Sequence, residues 1–182
     1  MLKYYYEVTT EDMKSLPSEI TVKEFEKIVK AQGKYNGVFM YYLDTFEVLG
    51  LSSDFVDIID EDTLYQLIKD FNKDFTLSKE DKVKTIEIGG YSYTAFGGRD
   101  SISGRDLANI EDKLTKSPDK WIAYALAIIF KRDDLSSTEH KADAHIKHKE
   151  KLFADITMDI ALPYIMTVSD NYIKNIKILA EG

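Results

Sequence analysis

Over residues 82–96, KVKTIEIGGYSYTAF, the spacing of apolar residues changes from the helical period of the rest of the chain to strict alternation. Ile86 and Ile88 alternate with polar neighbours, Tyr91 and Tyr93 continue the alternation, and Gly89-Gly90 between them supply the positive φ angles of a two-residue turn. A hairpin has one face to bury, so the helices on either side must supply the cover. The expected class is therefore mainly α with a β-hairpin (α+β). The expected layout is a bundle-like single domain over residues 1–182, with helical segments over 16–72 and 100–182 flanking the hairpin at 82–96.

The helix starts are marked locally. In LPSEITVKEFEKIVKAQG, Thr21 and Glu24 stand in capping-box relation, with Ile20 and Phe25 spaced as a hydrophobic staple and Gly33 after the periodic run; this predicts a helix over about 22–32. VFMYYLDTFEVLG predicts a second helix closed by Gly50, and SSDFVDIIDEDTLYQLIKDF one or two more with Ser or Asp caps. SISGRDLANIEDKL repeats the start signal, with Ser103 as N-cap, Asp106 three residues on, and Ile102 and Leu107 as the staple. Laid on ITVKEFEKI from 20, ISGRDLANI from 102 shares its pattern of apolar, hydroxyl, basic and acidic residues. The same offset places VFMYYLDTFEVL on KWIAYALAIIFK. This is a degenerate two-fold internal repeat, or the similarity that any two capped helices owe to the same physics.

In SPDKWIAYALAIIFKRD, Ser117 and Pro118 occupy the N-cap and N1 positions of a further expected helix. Residues 149–182 carry Leu152, Phe153, Ile156, Ile160, Leu162, Ile165 and Met166 on a broad stripe, with a kink or break expected at Pro163. So wide a stripe belongs at the centre of the fold or at a subunit contact. LKYYYEV near the start reads as a short strand.

Composition narrows the chemistry. At 182 residues, 44% hydrophobic and 31% charged, the chain has the make-up of one globular unit rather than of a disordered segment. Without cysteine it has no disulfide, thiolate nucleophile or Cys-ligated zinc. The first residues lack the basic flank and apolar run of a signal peptide, and the longest apolar run, WIAYALAIIF, is about half the ~20 residues that span a bilayer, so no membrane partner is expected. A formal charge of −8 disfavours binding along a phosphate backbone, so no nucleic-acid partner is expected either.

All three histidines fall in STEHKADAHIKHKEK, residues 137–151, with Lys141, Lys147, Lys149 and Lys151. On a helix His145 and His148 share a face and are the candidate metal ligands, whereas His140 lies about 140° from His145 and about 80° from His148. Neither the helical zinc-hydrolase spacing nor the bundle di-metal spacing is present, because position 142 is alanine where the latter needs Glu. The expectation is thus a solvated helix face or loop, with an acidic or phosphate partner next and a metal site last; no catalytic, cofactor-binding or metal residue is assigned and no cofactor is expected. GGRDSISGRD fails both glycine-rich phosphate-loop patterns. The acidic run DFVDIIDEDTLYQLIKD lacks a calcium ladder, and its Phe55, Ile58, Ile59, Leu64, Leu67 and Ile68 read as core. No GxSxG elbow occurs.

The order LPSEITVKEFEKI, VLGLSSDFVDIIDEDTLYQLI, IEIGGYSY, SISGRDLANIEDKL and WIAYALAIIF, covering about residues 16–131, resembles the layout of small structural and assembly proteins of tailed bacteriophages. It is similar to tail assembly chaperones and to ring proteins of the virion neck or tail. The resemblance implies a non-enzymatic virion protein, a homo-oligomeric ring subunit contacting other phage structural proteins. Its place would be the virion, and the host cytoplasm during assembly. A soluble tail assembly chaperone and a small regulator of host or phage proteins are the neighbouring alternatives. From another class stands a metal-dependent hydrolase using the cluster from His140 to His148.

Overall fold

A computed structural model describes residues 13–14, 16–34, 37–74, 83–95, 102–140, 143–166 and 168. It is mainly helical with a small antiparallel sheet, an α+β domain. The elements in chain order are α1 (Val22–Lys34), α2 (Val38–Val48), α3 (Ser53–Val56), α4 (Glu61–Asp74), β1 (Thr85–Ile88), β2 (Tyr91–Ala95), α5 (Gly104–Lys116), α6 (Ile122–Ile129), β3 (Phe130–Arg132), α7 (Ser137–His140) and α8 (Asp143–Phe153). A last helix, α9, covers 158–166. The strand read at LKYYYEV lies outside the described residues.

Both capping boxes form. The Glu24 amide donates to Thr21 Oγ1 at 3.3 Å while the Thr21 amide donates to Glu24 Oε2 at 2.9 Å. The Asp106 amide donates to Ser103 Oγ at 3.2 Å and the Ser103 amide to Asp106 Oδ2 at 3.3 Å. Ser52 and Asp60 cap α3 and α4 in the same way, and Ser136 with Glu139 makes a further box at α7 that the sequence reading had not singled out. Thr21→Ala and Ser103→Ala should each cost about 1 kcal/mol of folding free energy. Chemical denaturation of both variants checks this, and unchanged midpoints would show that these caps do not hold in solution.

Helix α1 continues one residue past Gly33, and α2 ends in a turn in which Gly50 takes φ 109°. In the hairpin, Gly89 and Gly90 take φ of 58° and 80°, and Ile86 pairs with Tyr93 and Ile88 with Tyr91 on one face. Ile86 and Tyr93 are buried.

Several expectations need correction. The segment WIAYALAIIFKR is not helical to its end: α6 stops at Ile129, and Phe130, Lys131 and Arg132 become β3, which pairs with β2 through Ala95, Thr94 and Tyr93. Nor does Ser117-Pro118 start that helix. Ser117 follows the end of α5, its carbonyl accepts from the Lys120 amide in a turn, and α6 begins at Ile122. The free N–H groups of Ile122 and Ala123 instead donate to Glu26 Oε1 of α1 at 3.0 and 3.2 Å. A carboxylate from a distant helix thus performs the capping that a local hydroxyl performs elsewhere, and burial raises the pKa of Glu26 against the lowering effect of those two bonds. Lastly, the chain breaks at 154–157, before Pro163, and α9 runs through that proline. Among the acidic-run residues read as core, Ile58 is exposed while Phe55, Leu64 and Leu67 are buried.

The core centres on α6, whose residues from Ile122 to Ile129 are all buried except Tyr124, which is half-buried. It packs chiefly on α8 and also touches α1 and α5. The stripe from Phe153 to Val168 lies inside the fold, with Phe153, Met158, Ala161, Leu162 and Ile165 buried. Phe130 joins sheet to helices, its ring centroid 5.2 Å from Phe153 and 4.9 Å from Tyr164, while Tyr93 stands edge-on to Phe153 at 5.6 Å. The start of α1 is sewn to the break before α9: the amides of Val22, Lys23 and Met158 donate to the carbonyls of Ile156, Ala154 and Ile20, each at 2.8 Å, around a bridge between Thr21 and Thr157.

Candidate functional site

The helix ending at Ile129 passes straight into β3, so its last carbonyls lack the usual turn to satisfy them. Two side chains from the His-rich stretch do so. Lys149 of α8 donates from Nζ to the Phe130 carbonyl at 3.0 Å, and the His140 ring is hydrogen-bonded to the Ile128 carbonyl. The two side chains also meet, with Lys149 Nζ 2.8 Å from His140 Nδ1. An ammonium can only donate there, so Nδ1 is the acceptor and the ring proton sits on Nε2, facing Ile128. Both residues are only 2% exposed, which corrects the expectation that 137–151 is a solvated face throughout.

This burial shifts both groups. Desolvation and then the charge of Lys149 lower His140 to about 4, and desolvation lowers Lys149 to about 7. Asp106 and Lys131 act on His140 in opposite senses, Asp106 favouring its protonation. The negative end of α6 offsets part of the cost of the buried ammonium. The pair is a structural clasp: its polar atoms engage the carbonyls of Ile128 in α6 and Phe130 in β3 and each other, enclosed from solvent.

The other two histidines are placed differently. His145 is half-buried and His148 exposed on α8. Among the described residues no group of three or more His, Asp or Glu side chains converges on a position for a metal ion. His148→Ala, at an exposed position, should shift stability by less than about 0.5 kcal/mol, and His145→Ala, at a half-buried one, by about 1 kcal/mol or less. A larger loss on removing bound metal, seen by denaturation with and without chelator, would reopen the metal reading. Lys147 and Lys151 are exposed beside His148, and Lys141 lies outside the described residues.

The first half of the GGRDSISGRD loop also lies outside the described residues, but its helix start is visible. The carboxylate of Asp106 occupies the first turn of α5 where a phosphate would sit. In the acidic run, Asp60 is held as the cap of α4, and its pKa is lowered by the Thr63 amide.

A surface is the other candidate. Val38, Phe39 and Met40 at the start of α2 are 65%, 40% and 48% exposed, and Tyr65 of α4 is 52% exposed. The Phe39 and Tyr65 rings meet edge-to-face at 5.3 Å, an exposed aromatic contact between the two helices, and Val38 and Met40 flank Phe39 in sequence on either side of it around α2. Deeper along the same seam, Tyr42 bonds to Asn72 and Phe46 meets Phe71. The sequence predicts a helix over VFMYYLDTFEVLG but carries no signal for which part of it stays uncovered. No described helix is long and apolar enough to cross a membrane. Comparison with protein-family models, with curated proteins and with solved structures finds no match.

Proposed function

We propose that the chain is a non-enzymatic bacteriophage virion protein, a subunit of a neck or tail ring that acts through protein contacts. The observation that carries this reading is the exposure of four large apolar side chains on two helices, Val38, Phe39, Met40 and Tyr65, with the Phe39 and Tyr65 rings in contact. Aromatic residues and methionine are enriched at protein contact sites. The described titratable pair with the largest shifts, His140 and Lys149, is committed to the end of α6 and offers no open cleft for chemistry.

Quantitative mass spectrometry of purified phage particles tests the reading. A ring subunit is present in fixed, small copy number per particle. A chain abundant in infected cells but missing from mature particles would overturn the ring assignment and favour the tail assembly chaperone. Co-purification with head or tail components identifies the neighbours.

A further inference from the structure

The apolar patch has a charged edge. Glu61 and Asp62 precede Tyr65 by four and three residues on α4 and therefore share its face, as does Lys69, four after Tyr65, and Glu47 follows Met40 by seven on α2. A second surface has the opposite character. On α8 the exposed positions are 144, 147, 148 and 151, one stripe at helical spacing that carries Lys147, His148 and Lys151. Of the two acidic residues on the same helix, Asp143 precedes Lys147 by four, and Glu150 is engaged elsewhere, by Lys113 of α5 at 3.2 Å. Lysine stems are apolar for most of their length, and their ammonium groups sit well over aromatic faces, so such a stripe suits an aromatic patch with an acidic edge.

The two surfaces lie on different helices. Helix α2 packs on α1, α1 on α6, and α6 on α8, so the patch and the stripe sit at the two ends of that succession. We infer that the α2–α4 patch of one copy docks on the Lys147–Lys151 stripe of a second copy, a head-to-tail contact that leaves a free patch and a free stripe at the two ends of every dimer. Unlike surfaces joined in this way build closed rings when the rotation between copies closes, and open filaments when it does not. The partner is another copy because both complementary halves are present on one chain. With a net charge of −8, two copies repel unless the basic stripe is at the contact, which fixes the orientation. The inference rests on reading the chain as an assembly subunit and gives that reading its contact surfaces.

Light scattering and sedimentation of the full chain over a wide concentration range test it. The wild-type protein is expected to grow past a dimer as concentration rises and to dissociate as salt is added. Val38→Glu with Met40→Glu removes the head, Lys147→Glu with Lys151→Glu removes the tail, and each should weaken self-association about tenfold or more. Mixed together, the two variants retain one intact head and one intact tail and should form a one-to-one dimer and nothing larger. Circular dichroism and denaturation midpoints confirm that each variant is folded; should the head variant fail to fold, Glu61→Lys with Asp62→Lys takes its place. A wild-type chain that stays monomeric at every concentration overturns the inference, as does a tail variant that associates like wild type, which would mean patch-to-patch pairing. A monomeric chain found at fixed copy number in particles would sink the self-contact alone. A self-assembling chain missing from particles would sink the virion reading alone.

Discussion

Between pH 7 and pH 10, the wild-type protein is expected to gain on the order of 3–5 kcal/mol of stability relative to a Lys149→Met variant. Burial holds Lys149 at about 7 in the fold, whereas an unfolded lysine titrates near 10.4. In that window the unfolded chain binds more protons than the native one, so native stability rises with pH, and below about 7 the full cost of burying the ammonium is present. Methionine fills similar volume, does not titrate and lacks this slope. At neutral pH the variant should be close to wild type, since loss of the bonds to Phe130 and His140, at about 1–3 kcal/mol, is set against removal of the buried charge.

The acid side follows the same logic with His140. Its folded value of about 4 lies below the ordinary 6.5, so wild-type stability should fall as pH drops from about 6.5 to about 4, by on the order of 2–3 kcal/mol. The protonated ring would face Lys149 and Lys131, with Asp106 the carboxylate that offsets them. His140→Gln keeps a donor for Ile128 and an acceptor for Lys149 and should flatten this limb. Urea denaturation at a series of pH values measures both effects. Parallel wild-type and variant curves would show that the clasp does not form.

The second large effect is expected at Phe130. Its ring is fully buried between Phe153 and Tyr164, and Phe130→Ala should cost about 3–5 kcal/mol through lost contact and a residual cavity. Phe39→Ala removes the same ring from the surface patch, where 40% of the residue is already in water, and should cost less than about 1.5 kcal/mol while weakening association. Comparable losses of stability at both positions would mean that the patch is covered within the monomer.

These two aromatic residues mark the limit of what is legible in the sequence. Thr21 with Glu24, Ser103 with Asp106, and Gly89-Gly90 were readable because capping and tight turns depend on residues only a few positions apart. Phe130 was not. WIAYALAIIF has a helical apolar pattern to its end, and the strand beginning there is imposed by pairing with Thr94 and Ala95, a partnership set by tertiary structure. Ser117 and Pro118 mimic a helix start, but Glu26 supplies the acceptor from far along the chain. His140 and Lys149 looked solvated because their neighbours are charged. What buries them is a pair of backbone carbonyls that no side-chain pattern reports. The one local hint is that position 149 shares a helical face with Ile146 and Phe153.

The seam between the start of α1 and the residues just before α9 has a consequence for biosynthesis. Ile20, Val22 and Lys23 leave the ribosome early, but the backbone groups at Ala154, Ile156 and Met158 that bond to them are among the last described residues to be made. Contacts between such distant parts of a chain form slowly, because a long loop must close before they contribute. Throughout translation the apolar underside of α1 and the whole of α6 therefore wait for a lining that has not yet been made. A nascent chain stalled before residue 154 should be open to protease and to chaperones, and completion of α8 and α9 should convert it, in one late step, to a resistant form.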